Sequence, residues 1–543
     1  MKFTATYRRT LRTSRRFVFE NIFDLEHVCV VHRRWFRNLR ILVQKPQYVE
    51  YRLTSNFYGL TQETLVKGAA IDENRYWYEF ITPLARMRVD GEMDGPDGEL
   101  RLREKITYEH PILLAPFFWI LKPLFRRQKD DILHADTSLL ERVFELEQKG
   151  FQRTELRPPT VIVYGGDGFF GSLVVEDLLK HSDARIVIAS RHPDTKVFPD
   201  FAPRIRFFES DLNNYESVVN TIHGAAVAIC CAGPFQKLST NLLKACIEQK
   251  VHYVDVADDR RFVENCFALR TEIELAGITA LTGCSVVPGL STLLCAWLAT
   301  RFDSVAKTCI CISPGTRHPR GPGSFACLLS TVGAEFDIPV QGGTRRIKGW
   351  TGRERVQFPS PMGTRWVYFV VNIADYFLQR LYFRTPTVEF KIGSELDLLN
   401  RSLSLVRIIT GSLHHSIGRR FIPVARVLIG LVSLLGTSQG GMMVRVYGRD
   451  TVGDDREQAL CVFAVERGEV IPAILPSLAA QMILAGQLQS PGIVRHTDWI
   501  SRERPVNELN SRKVQVSIRS DEDQDWLPFR TEKYPEITTS PAA

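Results

Sequence analysis

Gly165-Gly166-Asp167-Gly168-Phe169-Phe170-Gly171 follows a β-branched run, Thr160 to Tyr164, and opens an apolar-periodic segment from Leu173. Glycines at this spacing serve a pyrophosphate. Gly166 permits the tight turn, Gly168 lets backbone N–H groups approach the phosphates, and Gly171 lets the following helix pack on the strand. The helix N-terminus adds positive partial charge. A strand-turn-helix corner with no ligand can carry the same letters, but the buried strand before the turn and the helix after it favour a dinucleotide.

The next strand, Arg185 to Ser190, ends where this arrangement presents the adenosine ribose, and Arg191 follows it. An NAD site carries an acid there to bind the ribose hydroxyls. A hydroxyl followed by a guanidinium suits a 2′-phosphate instead, so Ser190 and Arg191 point to NADP(H), the other reading being that Arg191 is an ordinary surface arginine. Asp211, past Ile205 to Phe208, is an adenine-side contact, and Val227 to Cys230 leads into Cys231-Ala232-Gly233-Pro234-Phe235, a turn expected beside the nicotinamide. Hydride transfer also needs a group that gives or takes a proton. Tyr253, His252 and Asp255 are candidates by type, yet strand ends commonly carry such residues and no Tyr-x-x-x-Lys pair accompanies them, so the catalytic residue is unassigned.

A doubly wound, Rossmann-type parallel sheet must position these residues. Short buried strands alternate with helices from Thr160 to Leu281, ahead of Gly283 and Pro288-Gly289. The glycine turn, Cys-Ala-Gly-Pro-Phe-Gln at 231–236, Ala-Cys-Ile-Glu at 245–248, Tyr-Val-Asp at 253–255 and Val-Pro-Gly at 287–289 together resemble the saccharopine-dehydrogenase-like NADP-binding oxidoreductases. The resemblance implies a reductase fold with an α+β partner domain. It names no substrate, because that family spans amino-acid-linked reductases and a branch associated with lipid reduction and lipid droplets.

Residues 1–150 read as a separate domain: alternating strand patterns followed by one long helical stretch, an α+β helix-grip (START-like) arrangement in which a curved sheet wraps a helix around an apolar cavity. Within it Asn21, Asp24, His27 and His32 are similar to the mononuclear-iron motif of the catalytic domain of Rieske-type ring-hydroxylating oxygenases. That resemblance implies His27 and His32 as iron ligands and Asp24 as the acid linking iron to a cluster; Asp136 is the best candidate for the third ligand. Cys29 is the only cysteine before Cys230, so no thiolates can hold a two-iron cluster. Histidines five apart also stand about 140° around a regular helix. No metal is therefore favoured, and the cavity is expected to hold an apolar ligand.

The partner domain is expected over 290–503, with a return helix from Ile471 to Ala485 that packs on the nucleotide domain, itself expected over 158–289, and residues 504–543 read as a mostly disordered polar tail. The chain of 543 residues has a net charge of +8, and residues 1–60 hold twelve Lys/Arg against four Asp/Glu, a surplus equal to the whole. That is compatible with a solvated face or with an anionic lipid surface; no nucleic-acid partner is expected. Eleven cysteines with no C-x-x-C pair argue against zinc and disulfide frameworks and for a reducing, cytoplasmic compartment. The apolar stretches at 111–121 and 427–436 are too short to span a bilayer, and the arginine-studded tract from Leu405 to Gly436 reads as half-buried packing helices or an interfacial segment.

The expected function is an NADP(H)-dependent oxidoreductase acting on an apolar, lipid-like or polyketide-like small molecule, with a peripheral lipid-surface contact possible and the oligomeric state open. One alternative is a lipid-binding or scaffold protein that keeps a cofactor fold without turnover. The other is non-haem iron oxygenase activity in the first domain. It meets the obstacle that a hydride donor does not readily feed iron single electrons without a flavin or iron–sulfur relay.

Overall fold

The computed structural model describes residues 2–25, 28, 31–32, 35–57, 60–112, 115–149, 159–195, 197–198, 204–317, 331–410, 436–450, 452–500, 503–520 and 525–529. They form two compact units, 1–160 with 184–223, and 161–183 with 224–543.

The first unit opens with β1 (Lys2–Leu11) and α1 (Arg15–Phe23), capped by the Ser14 hydroxyl, which accepts from the N–H of Phe17. An antiparallel meander follows: β2 (Phe36–Lys45), β3 (Tyr48–Phe57), β4 (Leu60–Ala70), β5 (Arg75–Ile81), β6 (Arg86–Asp94) and β7 (Leu100–Glu109), the last pairing back onto β1 with Leu11 opposite Leu100. The period of two is plain in β7, where Leu100, Leu102, Glu104 and Ile106 face inward and their neighbours face solvent. The helix α2 (Ala115–Gln148) then packs against α1 and β1, burying Leu140 with Phe17, Val18, Tyr76 and Leu102.

Next in the chain come β8 (Thr160–Tyr164) and α3 (Phe169–His181) of the second unit, then β9 (Arg185–Ser190), β10 (Ile205–Glu209) and α4 (Tyr215–Ile222) of the first. The compact unit that contains residues 1–150 thus also takes in 184–223. β10 pairs in parallel with β2, Phe207 opposite Arg40 and Phe208 opposite Ile41, so the sheet of the first unit continues through β10 into β9.

The second unit carries the parallel strands β8, β11 (Val227–Cys230), β12 (His252–Asp255) and β13 (Thr279–Leu281), side by side in that order. They are connected through α5 (Asn241–Gln249), α6 (Arg260–Phe267) and α7 (Arg270–Ala276). Buried on both faces, they read as unbroken apolar runs. Beyond α8 (Ser291–Ala299) lie β14 (Ser304–Ser313), the hairpin β15 (Glu335–Val340) and β16 (Gly343–Lys348), β17 (Thr351–Gln357), β18 (Thr364–Phe369), α9 (Asp375–Phe383), β19 (Thr387–Ile392) and α10 (Asp397–Thr410). The chain closes with β20 (Gly440–Arg449), β21 (Asp455–Ala464), α11 (Ile471–Leu484), β22 (Gly492–Ile493), α12 (Glu503–Ser511), β23 (Val514–Ser520) and β24 (Leu527–Pro528).

A second, mixed sheet runs β17-β18-β19-β14-β20-β21-β23-β24, and β22 adds to the edge of the parallel sheet at β13. The return helix α11 packs against α3, β11 and β12. The expectation of a disordered tail from residue 504 is corrected: α12 and β23 are ordered because β23 alternates Val514, Val516 and Ile518 inward and pairs along β21. No helix among the described residues is long and apolar enough to cross a membrane. Most of the tract 405–436, and Gly321 to Ser324, lie outside the described residues.

Candidate functional site

At the C-terminal end of β8 the chain turns through Gly165, whose φ of +73° is a left-handed conformation that glycine adopts without strain. A β-carbon at Gly165 would lie 2.9 Å from the backbone of Ala232, so this turn and the one after β11 touch backbone to backbone. The N–H of Gly168 bonds the carbonyl of Gly165 at 2.9 Å, and Gly168 is the cap residue of α3. The first N–H groups of a helix have no partner within it, and with the helix dipole they form an anion site. Gly168 and Phe170 are exposed at that end, Asp167 and Phe169 half-buried, and Gly166 and Gly171 buried. On the neighbouring strand Cys230 is level with Tyr164, and beyond it Gly233 and Pro234 are exposed while Ala232 is half-buried. Two adjacent parallel strands thus end in open turns, the position where parallel sheets receive ligands.

Ser190, Arg191 and Asp211 belong to the first unit. The carbonyl of Ser190 accepts from the N–H of Ser210, Arg191 is exposed, and Oδ1 of Asp211 accepts from the backbone and side-chain nitrogens of Asn213 at 3.0 and 3.2 Å.

Of the acid/base candidates read from the sequence, His252 and Asp255 bond backbone N–H groups and Tyr253 is buried. His252 is level with Val227, which is level with Val161, at the opposite end of the strands from the glycine turn. Three residues at about 3.3 Å each put it about 10 Å away along the strand. Its Nδ1 accepts from the N–H of Thr279 at 3.0 Å. Tyr253 is buried, and burial pushes its hydroxyl far above the ordinary range. Asp255 is fully buried, and its Oδ1 accepts from the N–H groups of Gly283 at 2.7 Å and Ala257 at 2.9 Å. It ties the loops after β12 and β13 together.

Asp258 was not singled out in the sequence, and the structure makes it the better candidate. Its loop is pinned on both sides: the Asp258 carbonyl accepts from the N–H of Ala374, and Oδ1 of Asp259 caps α6 through the N–H of Phe262. The Asp258 side chain is exposed beyond the C-terminal end of β12. Neighbouring protein, and secondarily Asp259, push its carboxyl above the ordinary range against its own backbone N–H, and its exposure to water tempers that push. An accessible carboxyl held above its ordinary range exchanges protons closer to neutral pH than a free one. The sequence signal was a pair of adjacent acids of which a helix cap needs only one.

Residues 161–281 match the saccharopine dehydrogenase NADP binding domain family. The cofactor is NADP. Proteins described as saccharopine dehydrogenase-like oxidoreductase from Bos taurus and Homo sapiens are 24% and 26% identical over 129 residues, covering 20% of this chain and 30% of each relative. The match therefore spans less than a third of those relatives' length. Apo saccharopine dehydrogenase (L-Glu forming) from Saccharomyces cerevisiae aligns with a TM-score of 0.49 at 12% identity, covering 67% of this chain and 99% of that one. The exposed cradle of the glycine turn fits the pyrophosphate of NADP, since a side chain at Gly168 would occupy the space in front of the helix.

A second site lies wholly within the first unit. A cavity of about 620 Å³ is enclosed by the meander, α1 and α2, with Phe36, Tyr51, Leu53, Phe80, Val89 and Ile106 among its walls. This volume lies within the range of about 300–1,000 Å³ used for small-molecule ligands. His32 and Asp136 both line it, and Nε2 of His32 is 3.0 Å from Oδ1 of Asp136. The structure thus brings together two of the three residues considered as metal ligands; the third, His27, lies outside the described residues. Elsewhere, Cys309, Glu354 and Glu389 converge closely enough for a cation, but Lys391 already bonds both carboxylates and Arg445 bonds Glu354 and the Cys309 sulfur. That cluster is a closed ion network.

Proposed function

We propose that the protein is an NADP(H)-dependent oxidoreductase of the saccharopine-dehydrogenase-like type, acting by hydride transfer on an apolar, lipid-like substrate. One observation carries the reading: the glycine turn after β8 and the Ala232-Gly233-Pro234 turn after β11 meet at the ligand-receiving end of a parallel sheet. NADP(H) supplies or accepts the hydride. Gly165 to Gly171 hold its pyrophosphate, and Ala232, Gly233 and Pro234 border its nicotinamide; Ser190, Arg191 and Asp211, read from the sequence as its 2′-phosphate and adenine contacts, belong to the other unit. Asp258 delivers the proton to a carbonyl oxygen in the reducing direction, or accepts it from a hydroxyl in the other.

In this reading the first unit is a START-like helix-grip chamber for the apolar ligand, the protein works in the cytoplasm, and the basic N-terminal segment gives it a peripheral contact with lipid surfaces. The test is native mass spectrometry of co-purifying small molecules, followed by NADPH oxidation with the compound found, in wild type and Asp258→Asn. Turnover in wild type and a loss of at least about a hundredfold in the variant, with NADPH affinity kept, is the expected result.

The second reading, a lipid carrier that keeps NADP without turnover, is favoured by the structural commitment of His252, Tyr253 and Asp255. It requires bound NADPH to stay unoxidised with every co-purified compound.

A further inference from the structure

Besides the His32–Asp136 pair, the cavity of the first unit carries a cluster of two cations and a carboxylate set in largely apolar and aromatic walls. Glu104 lies on the inward face of β7, among Leu100, Leu102 and Ile106, where the period of two calls for an apolar residue. It is buried, accepts from the Tyr76 hydroxyl at 3.0 Å, and pairs with Lys129 of α2 at 3.1 Å. Burial raises its pKa, but Lys129 and then Arg9 outweigh this and hold it below the ordinary carboxylate range. Arg9 reaches the same cluster from β1. Its Nη1 is fixed by the Thr137 hydroxyl at 2.7 Å and the Leu133 carbonyl at 3.2 Å, while its buried Nε has no acceptor.

Two cations therefore face one carboxylate. Lysine offers three donors, and Glu104 engages one of those of Lys129. A buried surplus of positive charge with an unmet donor is unfavourable, and an anionic acceptor brought in by a ligand would relieve it. The other carboxylate lining the chamber, Asp136, is paired with His32, and most of the remaining wall is apolar or aromatic.

We propose that this chamber binds an amphiphilic carboxylic acid, its carboxylate at Lys129 and Arg9 and its apolar body among Phe36, Tyr51, Leu53 and Phe80. The inference rests on the reading that the first unit is a ligand chamber. It goes further by fixing the class of ligand and which end of it is recognised. Glu104 acts as the opposing charge that keeps the two cations in place when the chamber is empty.

The test uses the full chain and two fluorescent probes of equal hydrocarbon content, cis-parinaric acid and its methyl ester, titrated at pH 7.5. Wild type should bind the acid at least about tenfold more tightly than the ester. Lys129→Met should abolish that preference while keeping ester binding. Glu104→Gln, which keeps the shape and removes the competing carboxylate, should strengthen acid binding and leave the ester unchanged. The two variants are expected to move in opposite directions, which a loss of folding cannot imitate. Equal binding of acid and ester by wild type overturns the carboxylate assignment alone. Failure of both probes to bind overturns the ligand chamber itself, whereas the NADP-linked reading stands or falls separately on NADPH titration of the same preparation.

Discussion

A β-carbon on Gly171 would lie 2.0 Å from the carbonyl oxygen of Gly165. Helix α3 sits directly on the turn that precedes it, and the two glycines are one packing unit. Gly168 differs, since the nearest obstacle to a β-carbon there is the same carbonyl at 3.1 Å. Gly171→Ala should therefore destabilise the protein, by about 3 kcal/mol through overpacking against backbone, and lose NADPH binding with it. Gly168→Val should lower the thermal midpoint much less than Gly171→Ala does and still lose NADPH binding. Differential scanning fluorimetry and NADPH fluorescence titration separate the two; normal binding by Gly168→Val would remove the glycine turn as the site.

Cofactor choice follows from Ser190 and Arg191 standing where an NAD site places an acid. NADPH should bind at least about tenfold more tightly than NADH, a difference of about 1.4 kcal/mol. Arg191→Ala should remove most of it. Calorimetric titration of both cofactors decides, and equal affinities in wild type would refute the assignment.

Asp375 is a fully buried carboxyl at the start of α9, accepting from the Ser291 hydroxyl at 2.6 Å. Burial pushes its pKa up to about 6, from 3.8. The native state then holds the proton more tightly than the unfolded chain. Stability from this group is highest below the unfolded value, falls as pH rises through the window between the two, and is lowest above about 6, where the cost is about 3 kcal/mol. Asp375→Asn, which never ionises, should raise the thermal midpoint relative to wild type more at pH 7.5 than at pH 4.5. The same difference at both values would contradict a raised pKa.

The 3.0 Å approach of His32 to Asp136 does not by itself make a metal centre. Full-length protein prepared anaerobically with ferrous iron should carry no stoichiometric iron by elemental analysis. About one iron per chain, lost in His32→Ala, would revive the oxygenase reading.

Turns with special backbone needs carry their own letters, so the close packing at Gly171 could be read from spacing, whereas the left-handed turn falls on Gly165 and not on Gly166, where the spacing put it. The pairing of Cys230 with Tyr164 follows from parallel strands of matched length. The roles of His252 and Asp255 were not legible, since a strand's residue types do not say which end of the sheet each occupies or which loop N–H groups a carboxylate will meet. Asp258 escaped notice because its importance lies in what surrounds it, not in any neighbour along the chain. In the first unit, the alternation in β7 announced an inward face, but Glu104 within it could be recognised as a pole only once Lys129 and Arg9, distant in sequence, were seen to converge there. The pairing of β10 with β2 joins segments far apart in the chain and leaves no local trace.

The central claim is hydride transfer to a bound apolar substrate, and isotope transfer tests it most directly. Protein with its co-purified ligand is incubated with NADPH deuterated at the transferable C4 position, and the extracted small molecules are weighed by mass spectrometry. The account predicts a reduced product carrying one deuterium from the cofactor in wild type, and little or none in Asp258→Asn despite normal NADPH binding. NADPH that binds tightly while no ligand acquires deuterium in wild type would contradict it and leave a carrier that has kept the cofactor without the chemistry.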